Sequence, residues 1–162
     1  MSQTLFTAKV VSVESYSFVA EGKLKPTTVF KLTFDKKFDG IVKDENGEFV
    51  KTADCNQLSY TRSALIANLH SALEMFDYVY SVIEEQIKRD EKAVGFSLPQ
   101  AMMLLKGAEV TIDRTPFKEG EEYTLEDGTV AAYSHDGYRS DIVNVKPTAM
   151  GSSWMMKQMD KI

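Results

Sequence analysis

Cationic and aromatic side chains interleave along the strand-forming stretches of this chain. Lys9, Lys31, Lys36, Lys37, Arg62, Arg114, Arg139 and Lys146 lie on or beside those stretches, among Tyr16, Phe18, Phe38, Phe117, Tyr123, Tyr133 and Tyr138. Aromatic faces can stack on unpaired bases and cationic groups can neutralise phosphates, so the mixture suits single-stranded nucleic acid. Lys9, Tyr16, Lys31, Lys36, Lys37, Arg62, Tyr133, Tyr138, Arg139 and Lys146 form the candidate interface. Two segments suggest which way they point. In TTVFKLTFD (27–35), Phe30, Leu32 and Phe34 share one face and Lys31 takes the other. In YRSDIVNVK (138–146), placing Val143 and Val145 inside turns Tyr138, Asn144 and Lys146 outside. Each residue also has a structural explanation. Aromatics favour strands in any case, and lysines guard exposed sheet against edge pairing.

Other chemistries find less material. No phosphate-cradling GxxxxGK[ST] or GxGxxG occurs. Cys55 has neither a glycine-flanked elbow nor a helix start after it, and reads as a small, partly buried thiol rather than a nucleophile. His135, Asp136 and Asp141 could meet a cation, but a hydrogen-bonded turn histidine is the simpler account; no metal and no cofactor are expected. His70 flanks an apolar helical stripe and reads as a half-buried structural histidine. Catalysis is therefore not expected.

The elements that position these residues must come from one modest domain. The chain has 162 residues, 43% hydrophobic and 27% charged. That length can bury roughly 70% of its unfolded surface without staples. A single cysteine excludes an intramolecular disulfide and a thiolate zinc site. No apolar run approaches the ~20 residues that span a bilayer, and the N-terminus lacks the pattern of a signal peptide, so a reducing cytoplasm and no membrane are expected. The net charge of −5 is uneven: residues 1–62 carry +1 and residues 63–162 carry −6. The acids gather in a predicted helix (Glu84, Glu85, Asp90, Glu91) and a predicted hairpin (Glu119, Glu121, Glu122, Glu126, Asp127).

Strands are predicted over 5–20 and 27–35, with a turn at Glu21-Gly22-Lys23, followed by a hairpin of 40–44 and 48–53 about Asn46-Gly47. From Thr61 to Lys92 there is neither proline nor glycine. Leu65, Leu69, Ala72, Leu73, Phe76, Tyr80, Ile83 and Ile87 recur at helical spacing, which predicts one long helix capped by Thr61 or Ser63 and ended by Gly95. Ser97-Leu98-Pro99-Gln100 is a capping box opening a short helix that Gly107 stops. AEVTIDRTPF, a hairpin about Asp127-Gly128, and YRSDIVNVK complete the strands. This order predicts an α+β fold, an OB-like antiparallel Greek-key barrel with hairpin insertions and a long helix between the strand sets. The barrel domain covers 1–147. Residues 148–162, with Met150, Trp154, Met155, Met156, Met159 and Ile162, form an apolar C-terminal tail expected to dock on the domain's own core, on a second copy or on another protein, with docking in trans preferred.

FTAKVVSV, TTVFKLTF, the long central helix, and LLKGAEVTIDRTPFKEGEEY leading into DGYRSDIVNVK together resemble the small OB-fold single-stranded DNA-binding proteins of bacteria and phages, over about residues 5–147. The resemblance is one of element order. It implies non-catalytic binding of single-stranded DNA. The acidic, aromatic-ending tail of that family is absent; the chain ends SSWMMKQMDKI. The alternative expectation is a protein-interaction module, such as a phage-encoded inhibitor or an assembly subunit, favoured by the acidic second half and the Met/Trp-rich tail.

Overall fold

The alternating apolar residues of the strand segments settle onto one concave face of an antiparallel sheet, and helices fill that face. A computed structural model describes residues 4–19, 21, 22, 24–89, 96–125 and 127–160, with the side chains of Thr4 and of 86–89 left aside. The elements run β1 (Thr4–Phe18), β2 (Thr27–Lys43), β3 (Phe49–Thr61), α1 (Arg62–Ala72), α2 (Glu74–Arg89), α3 (Leu98–Leu105), β4 (Glu109–Phe117), β5 (Glu122–Thr124), β6 (Val130–Ala132), β7 (Gly137–Lys146) and α4 (Ala149–Met159). Lys23, Asp90, Glu91, Lys92, Gly95, Glu126 and Ile162, and the side chain of Ile87, fall outside the described residues.

The fold is α+β. Five strands form a sheet in the order β3-β2-β1-β4-β7, all pairs antiparallel, and β5 and β6 form a separate hairpin. β1 serves two partners: its first half pairs with β4 and its second with β2, with an irregularity between Val10 and Ser12. Such an extra residue bends a strand. Phe30, Leu32 and Phe34 face the core with Ala8, Val10, Val110 and Ile112, and Lys31 lies on the other face. The strands expected at 27–35 and 40–44 are one continuous β2, whose register against β3 shifts between Thr33 and Gly40.

The closed barrel expected from the sequence does not form. β3 and β7 are the two edges of the sheet, with no ladder between them. Helix α1 packs against β7, β2 and β3 and covers part of the gap. Its Asn68 Oδ1 accepts the Ile142 N–H at 2.6 Å, so a side chain satisfies this backbone donor of β7 where a strand could have done so.

The single helix expected over 61–92 is broken at Leu73, which has extended dihedrals (φ −135°, ψ 104°). Thr61 caps α1, its hydroxyl accepting the Ala64 N–H. The break follows from packing, since no proline or glycine is present. It lets Leu65 and Leu69 of α1 face the sheet while Phe76, Val79, Val82 and Ile83 of α2 enter the core beside α4. Leu73 and Tyr80 are half-buried, and His70 pairs with Asp77 across the break. Helix α3 opens with the expected box, the Ser97 N–H donating to Gln100 Oε1 at 2.8 Å.

The tail expected to dock in trans packs on its own chain. Thr148 caps α4, which lies against α2 and α3. A Cβ on Gly151 would stand 2.7 Å from the Met103 carbonyl oxygen, so the glycine allows the close approach to α3. Met155 is buried in the main core and Trp154 packs against it, while Met150, Met156 and Met159 remain exposed.

Candidate nucleic-acid interface

One bulged residue decides which side chains of β7 enter the concave face. The β4–β7 register pairs Thr111 with Asn144 but Ile112 with Ile142, leaving Val143 as the extra residue. Ile142 and Val145 are therefore the buried pair, and Val143, expected inside, is exposed. Upstream of the bulge the alternation is reversed, so Tyr138, expected outside, shares a face with Ile142.

Beside Tyr138 lies Arg114. It continues the inward file of Val110 and Ile112 on β4 and is only 5% exposed. Its guanidinium is held between two rings, 4.4 Å from the Phe38 centroid and 4.6 Å from that of Tyr138. Its Nε and Nη1 are buried without a hydrogen-bond partner, as are Tyr60 Oη and one Asp113 oxygen. Burial lowers Arg114 from the ordinary arginine value, against raising influences from Cys55, Tyr138, Tyr60 and Asp39. Burial, and then Asp141, raise Tyr60 well above the tyrosine range, while Arg114 pulls the other way. Gly40 backs this cluster: a Cβ there would meet Cys55 Sγ at 2.5 Å and lie 3.9 Å from Arg114 Nη2.

A cleft leads away from this cluster. Phe6, Lys37, Phe38, Asp39, Arg114 and Tyr138 line its first part. Asp39 and Tyr138 are shared with a second depression that reaches Lys51 and Thr52, and Lys51 is shared with a third that reaches Phe49, Glu119, His135 and Asp136. Cations therefore concentrate at the Arg114 end and carboxylates at the far end. At the far end the rings form a ladder. Phe49 stacks on His135 (4.0 Å, 17°), His135 leans on Phe117 (6.2 Å), Phe117 stacks on Tyr133 (3.8 Å, 12°), and Tyr133 meets Tyr123 (4.5 Å). This ladder ties the β2–β3 tip to the β5–β6 hairpin.

The candidate residues divide between this cleft and the rest of the surface. Lys37 and Tyr138 line the cleft, and Tyr133 belongs to the ladder at its far end. Lys37 also meets Asp54 at 3.4 Å. The other seven lie apart from it. Lys9 is exposed on β1 opposite Glu109, and Lys36 is exposed on β2. Tyr16 stacks loosely on Phe18 towards the far end of β1. Lys31 meets Glu14 at 3.8 Å, Arg139 meets Asp141 at 3.0 Å and Lys146 meets Glu109 at 3.9 Å. Arg62 donates from Nε to the Phe96 carbonyl at 3.4 Å, a strut between α1 and the approach to α3. Phe6, Phe38, Lys51, Arg114 and the Phe49–His135 pair are the cleft's cationic and ring residues outside the candidate set. The period-2 alternation of VTIDR was the available signal for Arg114, because it puts the arginine on the face of Val110 and Ile112.

The histidines and the thiol are occupied structurally. His135 Nδ1 lies 2.8 Å from the Asp136 carbonyl, Asp136 accepts the Glu119 N–H, and Asp141 faces Arg139. Among the described residues no three His, Cys, Asp or Glu side chains gather as a metal site. Cys55 is half-buried. No family model matches the chain, and no curated protein or solved structure matches it either.

Proposed function

We propose that the protein binds single-stranded nucleic acid, preferably DNA, without catalysing a reaction, and that the cleft between β2–β3 and the start of β7 is the interface. The observation that carries this reading is the convergence of Arg114, Lys37 and Lys51 with Phe38 and Tyr138 in one concave run. Rings beside cations are what an unpaired strand needs. Glu119 and Asp136 at the far end confine the phosphate path to the Arg114–Lys51 portion. The strand order supports an OB-like origin for the sheet. Three consecutive antiparallel strands, helices, then strands returning beside the first make a Greek-key arrangement lacking only the β3–β7 closure, and OB barrels are themselves partly open.

Anisotropy of labelled oligo-dT, with a duplex control at two salt concentrations, tests the reading. Single strands should bind more tightly than duplex, and affinity should fall with salt. Tyr138→Ala should weaken binding by about 1–3 kcal/mol if a base stacks there. No oligo-dT binding at low salt would overturn the reading.

A second reading has its own observation. Met75 of α2 and Met150, Met156 and Met159 of α4 are exposed on two helices that pack together. Flexible thioethers suit a protein partner or a second copy. A dimer by light scattering that Met156→Glu dissociates, with no oligonucleotide binding, would favour that reading.

A further inference from the structure

The least explained group in the molecule is the Arg114 guanidinium. A buried cation normally has a carboxylate or a full set of acceptors, because desolvation is costly. Among the described residues Arg114 has no ion pair, and two of its three nitrogens have no acceptor. Asp39 influences it electrostatically without bonding to it. The guanidinium packs against the rings of Phe38 and Tyr138, 4.4 and 4.6 Å from their centroids. Nε and Nη1 are shut away from solvent, so Nη2, beside Gly40, is the nitrogen left for a ligand. Gly40 keeps side-chain bulk away from Nη2, and Lys37 lines the same cavity with its side chain 67% exposed.

We infer that the cavity of Phe6, Lys37, Phe38, Asp39, Arg114 and Tyr138 is a phosphate site, in which Arg114 donates from Nη2 to a phosphate oxygen and Lys37 closes over the anion. The chemistry is that of a charge-assisted hydrogen bond to an oxyanion, from a guanidinium packed against two rings. The inference rests on the nucleic-acid reading only for the source of the phosphate, taken as one backbone phosphodiester. Asp39 lines the same cavity and opposes an anion there, so the paired cations Arg114 and Lys37 must outweigh it.

Thermal unfolding in inorganic phosphate, against chloride at equal ionic strength, tests the site apart from any nucleic acid. Wild type should show a larger phosphate-dependent rise in Tm than Arg114→Met, because a ligand that binds only the folded state stabilises it. In chloride the methionine variant should be as stable as wild type or more so, since an apolar replacement removes an unpaired buried charge. Equal phosphate increments in the two proteins would overturn the inference, whatever the oligonucleotide result. Should Arg114→Met fail to fold, Lys37→Ala carries the test: a smaller increment than wild type supports the site, and an equal one rejects it. In a parallel arm, Arg114→Met should weaken oligo-dT binding about tenfold and shallow its salt slope by roughly 0.7, one single-strand phosphate. A lost phosphate increment with no oligo-dT binding by wild type would keep the phosphate site and remove the nucleic-acid reading.

Discussion

Followed along β4 and β7, the concave face changes character from one end to the other. At the helical end, Val110, Ile112, Ile142 and Val145 share one core with Leu65, Leu69, Leu104 and Leu105, and Phe96 meets Phe30 at 5.7 Å and Phe76 at 5.9 Å. At the open end the same inward files present Arg114 and Tyr138, opposite Phe38, Gly40, Cys55 and Tyr60. One end is dry hydrocarbon. The other buries a cation and a phenol with unmet hydrogen-bonding capacity. The strands are shared, so the difference is not one of backbone architecture. The helical end stabilises the fold, and the open end costs stability, which the proposed ligand would return.

Substitutions at the two ends should therefore move stability and binding in different directions. The largest effect is expected at the helical end. Phe76→Ala should lose about 3–5 kcal/mol in urea unfolding, and the folded fraction should keep wild-type affinity for its ligand. A loss below 1 kcal/mol would mean that this end is loosely packed and that the contrast fails.

Next comes Gly40→Ala, whose methyl group would meet Cys55 Sγ at 2.5 Å. About 1–3 kcal/mol should be lost to overpacking. Cys55→Ala in the same chain should recover most of it, a coupling that a double-mutant cycle measures. Additive losses would place the strain elsewhere.

Tyr60→Phe should gain about 1 kcal/mol, because it deletes a buried hydroxyl without a partner. The pH dependence sharpens this. Burial raises Tyr60, so the folded state holds the phenolic proton more tightly than the unfolded chain does. Its contribution is complete below the unfolded value of about 10 and is lost as pH rises from there through the folded value. Stability of the wild type should fall more steeply above pH ~10 than that of Tyr60→Phe. Parallel alkaline curves would show that Tyr60 reaches solvent.

The smallest effect belongs to the outer surface. Lys31→Ala removes a partner of Glu14 at 3.8 Å and should change stability by less than about 0.5 kcal/mol. It should leave oligo-dT affinity unaltered, whereas Lys51→Ala, inside the cleft, should reduce it. The reverse pattern would move the interface to the outer face of β1 and β2.

The strand alternation of residues 27–35, the capping box at Ser97 and the Asn46-Gly47 turn could be read directly, because each is fixed by local chemistry. Three features could not. The break at Leu73 answers to the tertiary surfaces that α1 and α2 must each cover, and a sequence with unbroken helical spacing carries no mark of it. The Val143 bulge arises from pairing with β4, so a uniform alternation assigns Tyr138 to the wrong face. The gap between β3 and β7 depends partly on Asn68, a helical residue whose spacing does not reveal that it will accept a strand N–H. Lys31, Arg139 and Lys146 are engaged with carboxylates, while Arg114, visible among the strand cations but outside the candidate interface, is turned inward by its place in an apolar file.

The separation of the two ends also has an optical consequence. Trp154 is the chain's single tryptophan, and it lies on α4, packed against the helical end of the core. Tyr123, Tyr133 and Tyr138 belong to the cleft and its ladder. Emission excited at the red edge, where indole alone absorbs, will follow melting of the helical layer and stay nearly blind to occupancy of the cleft. Tyrosine emission mixes these rings with Tyr78 and Tyr80 of α2, so the indole is the selective reporter and the phenols are not.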